Sequence, residues 1–228
     1  PYMIKVIEVS CVYIGKTGKL NQRLGEILNG NISRLLSARE SLESKLAENE
    51  IVIWGGRYLD DKFLSEYSNK IKIIYISTYI YNDFCDNYQL NKINDTKKIK
   101  KIKGKSIDIP FIKDFHSQLL ESISSKEESN YITYLTSVEN IAELILKLKN
   151  DENVSLKMEK VNLKLNNREK VLWYIFSLLY KKKNKSNLSF SGRLYNNLVK
   201  LLEKIMHKIL FCHGLSAVYI EKVVINGQ

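Results

Sequence analysis

The run VYIGKTGKLNQRL, residues 12 to 24, constrains the fold of this chain more than any other stretch. Before it, MIKVIEVSCVYI (residues 3 to 14) is rich in β-branched and apolar types with partial alternation, which predicts a strand ending at Gly15. After it, Leu20, Leu24, Ile27 and Leu28 recur at helical spacing. The segment Gly15-Lys16-Thr17-Gly18-Lys19 therefore lies in a strand-to-helix turn. The backbone N–H groups of a first helical turn have no partners within the helix, so such a turn favours anions.

Three chemistries compete for these residues. A P-loop needs a glycine five residues before the one that precedes the lysine, and that position is Ser10, inside the strand. The P-loop reading fails there. A second reading starts from YIGKT, with Arg23 ten residues after Tyr13 and Tyr2 eleven residues before it. This spacing resembles the GIY-YIG endonucleases, and the resemblance implies tyrosines, an arginine and a glutamate, here Glu66, around a metal and a water. MIKVIEVSCV contains no glycine, asparagine or proline to turn a hairpin between the two tyrosines, so this reading is the alternative. In the third, Gly15 and Gly18 let the main chain approach a sugar-phosphate strand closely, with Lys16 and Thr17 projecting from the turn.

The charge favours the third reading. A formal net charge of +11 attracts polyanions, and with no apolar run of membrane-spanning length the polyanion is expected to be nucleic acid, not lipid. With 44% hydrophobic residues over 228, the chain can bury one large or two small cores. Cys11, Cys85 and Cys212 are too few and too far apart for a disulfide framework or a metal site, which suits a reducing compartment. Cys212 beside His213, like His116 and His207, reads as packing. No metal and no cofactor are expected. Lysine far outnumbers arginine, and isoleucine, asparagine and tyrosine abound, a bias of AT-rich genomes that include organellar ones.

Further along, residues 35 to 47 read as helix, EIVIWGG as a strand, YLDDKFLSEY as a helix and KIKIIYIST as a strand parallel to the preceding one. Residues 82 to 106 are polar and lysine-rich and read as a solvated loop or an arm on RNA. FIKDFHSQLLESI reads as a short helix and YITYLT as a strand. SVENIAELILKLKN reads as a helix capped by Ser137, VSLKMEKVNLKL as a strand or hairpin arm, and NNREKVLWYIFSLLYKKKN as a helix with a basic end. Leu194, Leu198, Leu201, Ile205 and Ile209 give a long helix its apolar stripe, with Lys200, Lys204 and Lys208 as a basic ridge.

Several of these segments, in this order, resemble one family. The glycine turn is similar to the IGxxG loop of a KH domain. YITYLTSVENIAELILKLKN, NREKVLWYIFSLLYKKKNKSNLSFSGRL and HGLSAVYIEKVVINGQ resemble successive segments of the third protein of the small ribosomal subunit, in its mitochondrial type. The resemblance implies an α+β fold. A KH-like (type II) domain would span 1–30 and 131–150, an inserted α/β segment 31–130, and a carboxy-terminal α/β domain 151–228. It implies a structural RNA-binding protein, not an enzyme, in the head of the mitochondrial small subunit. Its partners would be ribosomal RNA, messenger RNA where it enters the subunit, and neighbouring head proteins, with no membrane. The RNA contacts would be Gly15, Lys16, Thr17, Gly18, Lys19, Arg168, Lys170, Lys181, Lys182, Lys183, Lys185, Arg193, Lys200, Lys204 and Lys208.

Overall fold

The structure is a computed structural model that describes residues 10–56, 59–81, 87–115, 123, 130–185, 194–195, 197–199, 201 and 219–223. The chain divides into two compact units. The first comprises Pro1–Thr78, Asn91–Ile109 and Val138–Leu156, and the second Tyr79–Leu90, Pro110–Ser137 and Lys157–Gln228.

The first unit is built on five strands: β1 (Cys11–Ile14), β2 (Arg34–Leu36), β3 (Ile51–Trp54), β4 (Lys72–Thr78) and β5 (Lys105–Ile109). They form one sheet in the order β2-β1-β3-β4-β5, every pair parallel. Parallel neighbours need crossover connections, which here run through α1 (Lys19–Ile27), α2 (Ala38–Glu43), α3 (Asp61–Tyr67) and α4 (Asn87–Lys101). A further helix, α5 (Val138–Lys149), packs with α1.

The strand sequences explain this architecture. CVYI and IVIW are buried at every position, as strands covered on both faces must be. Side chains alternate across the sheet. Val12, Ile14, Val52, Trp54, Ile73 and Tyr75 share a cluster with Phe63, Leu64 and Tyr67 of α3 and Ile99 of α4. Tyr13, Ile53 and Ile74 alternate to the opposite face. Capping residues fix where the helices begin. Ser37 and Glu40 form a reciprocal capping box at α2, and Asp60 accepts from the N–H groups of Lys62 and Phe63 at α3.

The second unit has its own small sheet. β7 (Tyr131–Thr136) pairs parallel with β6 (Phe111–Ile112) and antiparallel with β8 (Glu159–Asn162) and β9 (Glu221–Lys222). Trp173 and Phe176 of α6 (Asn167–Lys185) pack with Phe111, Tyr131, Leu135, Val161 and Ile220.

This sheet overturns the KH expectation and, with it, the inserted segment. Residues 34 to 109 supply four of the five strands of the sheet to which β1 belongs. The result is a doubly wound, Rossmann-like α/β arrangement. Two local misreadings have physical causes. The predicted helix over 35 to 47 is a three-residue strand followed by a capped helix, too short for its period to show. The predicted lysine-rich loop over 82 to 106 is mostly α4, whose inward face carries Gln89, Lys92, Asp95, Thr96 and Ile99, all buried. Four of those five are polar, so the hydrophobic period never appears in the sequence. The parallel β3-α3-β4 unit agrees with its expectation.

A fully buried ring between α3 and the sheet should dominate the stability of the first unit. Phe63→Ala is expected to cost about 3–5 kcal/mol in urea denaturation. Val171→Ala, on an exposed helix face, should cost no more than about 0.5 kcal/mol.

Candidate nucleotide-binding site

In the order β2-β1-β3 the chain leaves β1 towards one side and returns to β3 on the other. The carboxyl ends of β1 and β3 therefore flank a topological switch point, the place where open α/β sheets bind ligands. Both ladders run up to glycines there. Gly15 N–H donates to the Leu36 carbonyl at 2.8 Å, and Gly55 N–H to the Ile14 carbonyl at 2.8 Å. Gly15-Lys16-Thr17-Gly18 then turns into α1.

Gly18 is the N-cap of α1, with φ +95°, a conformation that costs glycine little and other residues more. It contributes no side-chain acceptor, so the first-turn N–H groups of α1 have no side-chain cap. The turn is held from beneath by Asn21. Its Nδ2 donates to the carbonyls of Thr17 at 2.8 Å and Gly55 at 3.0 Å, while its Oδ1 accepts from the Tyr13 hydroxyl at 2.7 Å. One side chain thereby joins the turn, β1 and the end of β3. Gly55 is required for it, since a Cβ there would collide with Asn21 and the Tyr13 hydroxyl.

On the other side of β3 stands a buried cation. Lys92 of α4 is 2% exposed, and its Nζ donates to the carbonyls of Gly56 at 2.8 Å and Ile76 at 2.9 Å. It also lies 4.6 Å from the centre of the Tyr75 ring. Burial lowers its pKa from 10.5 to about 8, with the nearby Asp95 carboxylate opposing the shift. Asp95 is itself committed, accepting from Leu59 N–H at 3.0 Å and the Tyr75 hydroxyl at 3.1 Å. The same helix carries Tyr88 one turn before Lys92, at the i, i+4 spacing that places two side chains on one face. The signal Tyr88-x-x-x-Lys92 was present in the sequence, hidden in the stretch read as a solvated loop.

The expected RNA contacts fall in both units and partly outside the described residues. Lys16 is exposed and pairs with Glu40 at 3.6 Å, and Thr17, Gly18 and Lys19 are exposed in the turn. Arg168 and Lys170 are exposed in the first turn of α6, in the second unit, flanking a buried Glu169 that completes a capping box with Asn166. Lys181, Lys182, Lys183 and Lys185 belong to α6, but their side chains lie outside the described ones, as do Arg193, Lys200, Lys204 and Lys208 altogether. The nuclease arrangement is not formed. Tyr13 is buried against Asn21, and burial pushes its pKa up. Arg23 pairs with Glu26 at 2.9 Å, Glu66 is exposed on α3, and Tyr2 lies outside the described residues.

No protein-family model matches the sequence. No curated protein matches it either. Solved structures do. The capsular polysaccharide assembling protein CapF from Staphylococcus aureus is similar at 14% identity and a TM-score of 0.48, over 84% of this chain and 63% of that one. A dTDP-4-dehydrorhamnose reductase from Clostridium acetobutylicum, an RfbD ortholog, is similar at 14% identity and a TM-score of 0.46, over 79% of this chain and 82% of that one. The L780 UDP-rhamnose synthase from Acanthamoeba polyphaga mimivirus is similar at 11% identity and a TM-score of 0.44, over 79% and 82%. The chain thus spans less than two thirds of the length of CapF. The ribosomal assignment, its RNA and head-protein partners and its exclusion of enzymatic activity all rested on a KH fold and are withdrawn with it.

Two measurements test this geometry. Asn21→Asp replaces the Nδ2 donor with an acceptor facing two carbonyls, and should cost about 1–3 kcal/mol while speeding amide exchange at residues 16–19. Lys92 supplies a pH signature. Between pH 8 and pH 10.5 the unfolded chain holds its proton while the folded chain has lost it, so stability rises with pH across that window and levels off above it. The gain attributable to Lys92 is about 3 kcal/mol, read as the urea midpoint against a Lys92→Met variant that lacks the rise.

Proposed function

We propose that this chain binds a nucleotide cofactor of the dinucleotide type across the carboxyl ends of β1 and β3, and that it is an oxidoreductase acting at a carbonyl or hydroxyl carbon. The observation that carries the reading is the uncapped glycine turn at the switch point of a parallel sheet. A helix amino terminus reached through glycines accepts phosphate by backbone N–H groups and by the helix dipole.

The residues fit such a group with two departures: Gly15 and Gly18 are separated by two residues instead of one, and Asn21 stands in place of the last glycine. The fingerprint of dinucleotide sites, G-x-G-x-x-G, uses its last glycine for close packing of helix on strand. Three residues after Gly18 stands Asn21, whose hydrogen bonds to Tyr13 and Gly55 hold helix and strands together by other means. Gly18 and the first turn of α1 would hold phosphate. Just past β2, Ser37 and the exposed Arg39 offer a hydroxyl and a guanidinium where a ribose 2′-phosphate would be recognised, which favours NADP over NAD.

When bound, a nicotinamide supplies or takes hydride. The protein's share is the proton. On α4, Tyr88 offers a phenol hydroxyl suited to general acid–base work, and Lys92 stands one turn further along the same helix. The carbonyls of Gly56 and Ile76 hold Lys92 in place, so its contribution is electrostatic positioning.

Calorimetry with NADPH, NADH, FMN and ATP tests the reading. NADPH is expected to bind most tightly, and Gly18→Asp, which sets a carboxylate at the turn, should abolish binding. No heat from any of the four would refute it. Turnover is assayed on ketones and keto-sugars, including the nucleotide-linked ones specified by the names of the similar reductase and synthase. Tyr88→Phe should lower kcat about 10²–10⁴-fold with little change in NADPH affinity.

A further inference from the structure

We infer that the outer face of α6, with the helical residues beside it, is the surface through which two copies of this chain pair. Between Val171 and Leu179, α6 is apolar around most of its circumference. Trp173 and Phe176 enter the core of the second unit. On the opposite side, Val171, Tyr174, Ile175 and Leu178 follow one another at i, i+3, i+4 and i+7 and remain 40–58% exposed. The neighbouring helical stretch repeats the arrangement. Tyr195 and Val199 turn inward, Tyr195 donating its hydroxyl to the Leu179 carbonyl at 3.4 Å, while Leu194, Leu198 and Leu201 remain more than half exposed.

A helix that is hydrophobic on all sides is stable when all its sides are covered. Seven half-exposed large side chains present on the order of 700 Å² per copy, close to the roughly 800 Å² per partner of a standard interface. The chemistry of the rows favours a second copy over a polyanion or an acidic peptide. Tyr174 brings the only polar atom among the seven side chains, and cores of homodimer interfaces are likewise depleted in charge. Two rows on adjacent helices are also self-complementary. A twofold axis lays the rows of one copy into the grooves of the other, giving a four-helix layer with the same residues contributed from each side.

The charge of the chain makes the pairing distinguishable from an electrostatic contact. With +11 on each copy, self-association works against repulsion and should strengthen as salt screens it, whereas binding to a polyanion weakens. Sedimentation of the full chain from about 1 to 100 µM is expected to show a monomer–dimer equilibrium that shifts towards dimer with salt. Ile175→Lys and Leu178→Lys, at exposed positions that leave the fold intact by circular dichroism, should each raise the dimer Kd more than about 100-fold by burying an unpaired charge. Leu198→Lys on the second row should do the same. A chain that stays monomeric throughout, or a dimer indifferent to all three substitutions or loosened by salt, would overturn the assignment.

Discussion

Everything at the candidate site follows from β1 being hydrogen-bonded on both edges at once. β2 takes one edge and β3 the other, and both ladders run up to the same point, at Gly15 and Gly55. Beyond that point the chain has no strand to join and must turn. The parallel direction makes the turn open at the carboxyl ends, where the first turn of α1 has no side-chain cap. A single antiparallel pairing of β1 would have directed the glycines into a hairpin. Any anion binding at the turn would therefore depend on the sheet topology first and on Gly15 and Gly18 second.

Polar groups buried beside this point are satisfied in pairs, which rigidifies the ends of the strands. Asn21 answers the Thr17 and Gly55 carbonyls, and Lys92 answers those of Gly56 and Ile76. These four carbonyls include the ones a strand leaves without partners when its ladder ends. Lys92 does this at the expense of desolvating its ammonium, which is why its pKa falls to about 8. A neutral side chain of similar length would avoid that penalty and leave two carbonyls unpaired. Retaining the charge satisfies both carbonyls and gives α4 a fixed cation one turn from Tyr88.

The legible parts of the sequence were those where burial and period coincide. IVIW, KIIYIST and YITYLT announce strands because nearly every position is buried and most are β-branched or aromatic. The turn after Tyr13 is equally plain in the sequence. What could not be read was which anion, because two glycines in a strand-to-helix turn serve a ribose-phosphate chain and a nucleotide alike. The two readings differ in whether β1 lies inside a parallel sheet, and that depended on β2, three residues long and without a detectable period. α4 failed for the opposite reason. Its inward positions are amide, ammonium, carboxylate and hydroxyl groups that bond to one another or to strand carbonyls, so a buried face looked solvated.

The same logic changes the meaning of the basic charge. Net charge describes the field at a distance and says little about any contact, and here the lysines near the sheet are engaged locally. Lys72 and Lys105 share Asp151, Lys98 pairs with Asp61, and Lys147 with Glu143. Exposed pairs of this kind contribute little stability, but they cancel charge where a polyanion would have to dock. The surface that stands out against this background is the uncharged outer row of α6. In a chain with so much repulsion to overcome, an apolar strip of four residues on one helix and three on the next is best accounted for by an interface that excludes water.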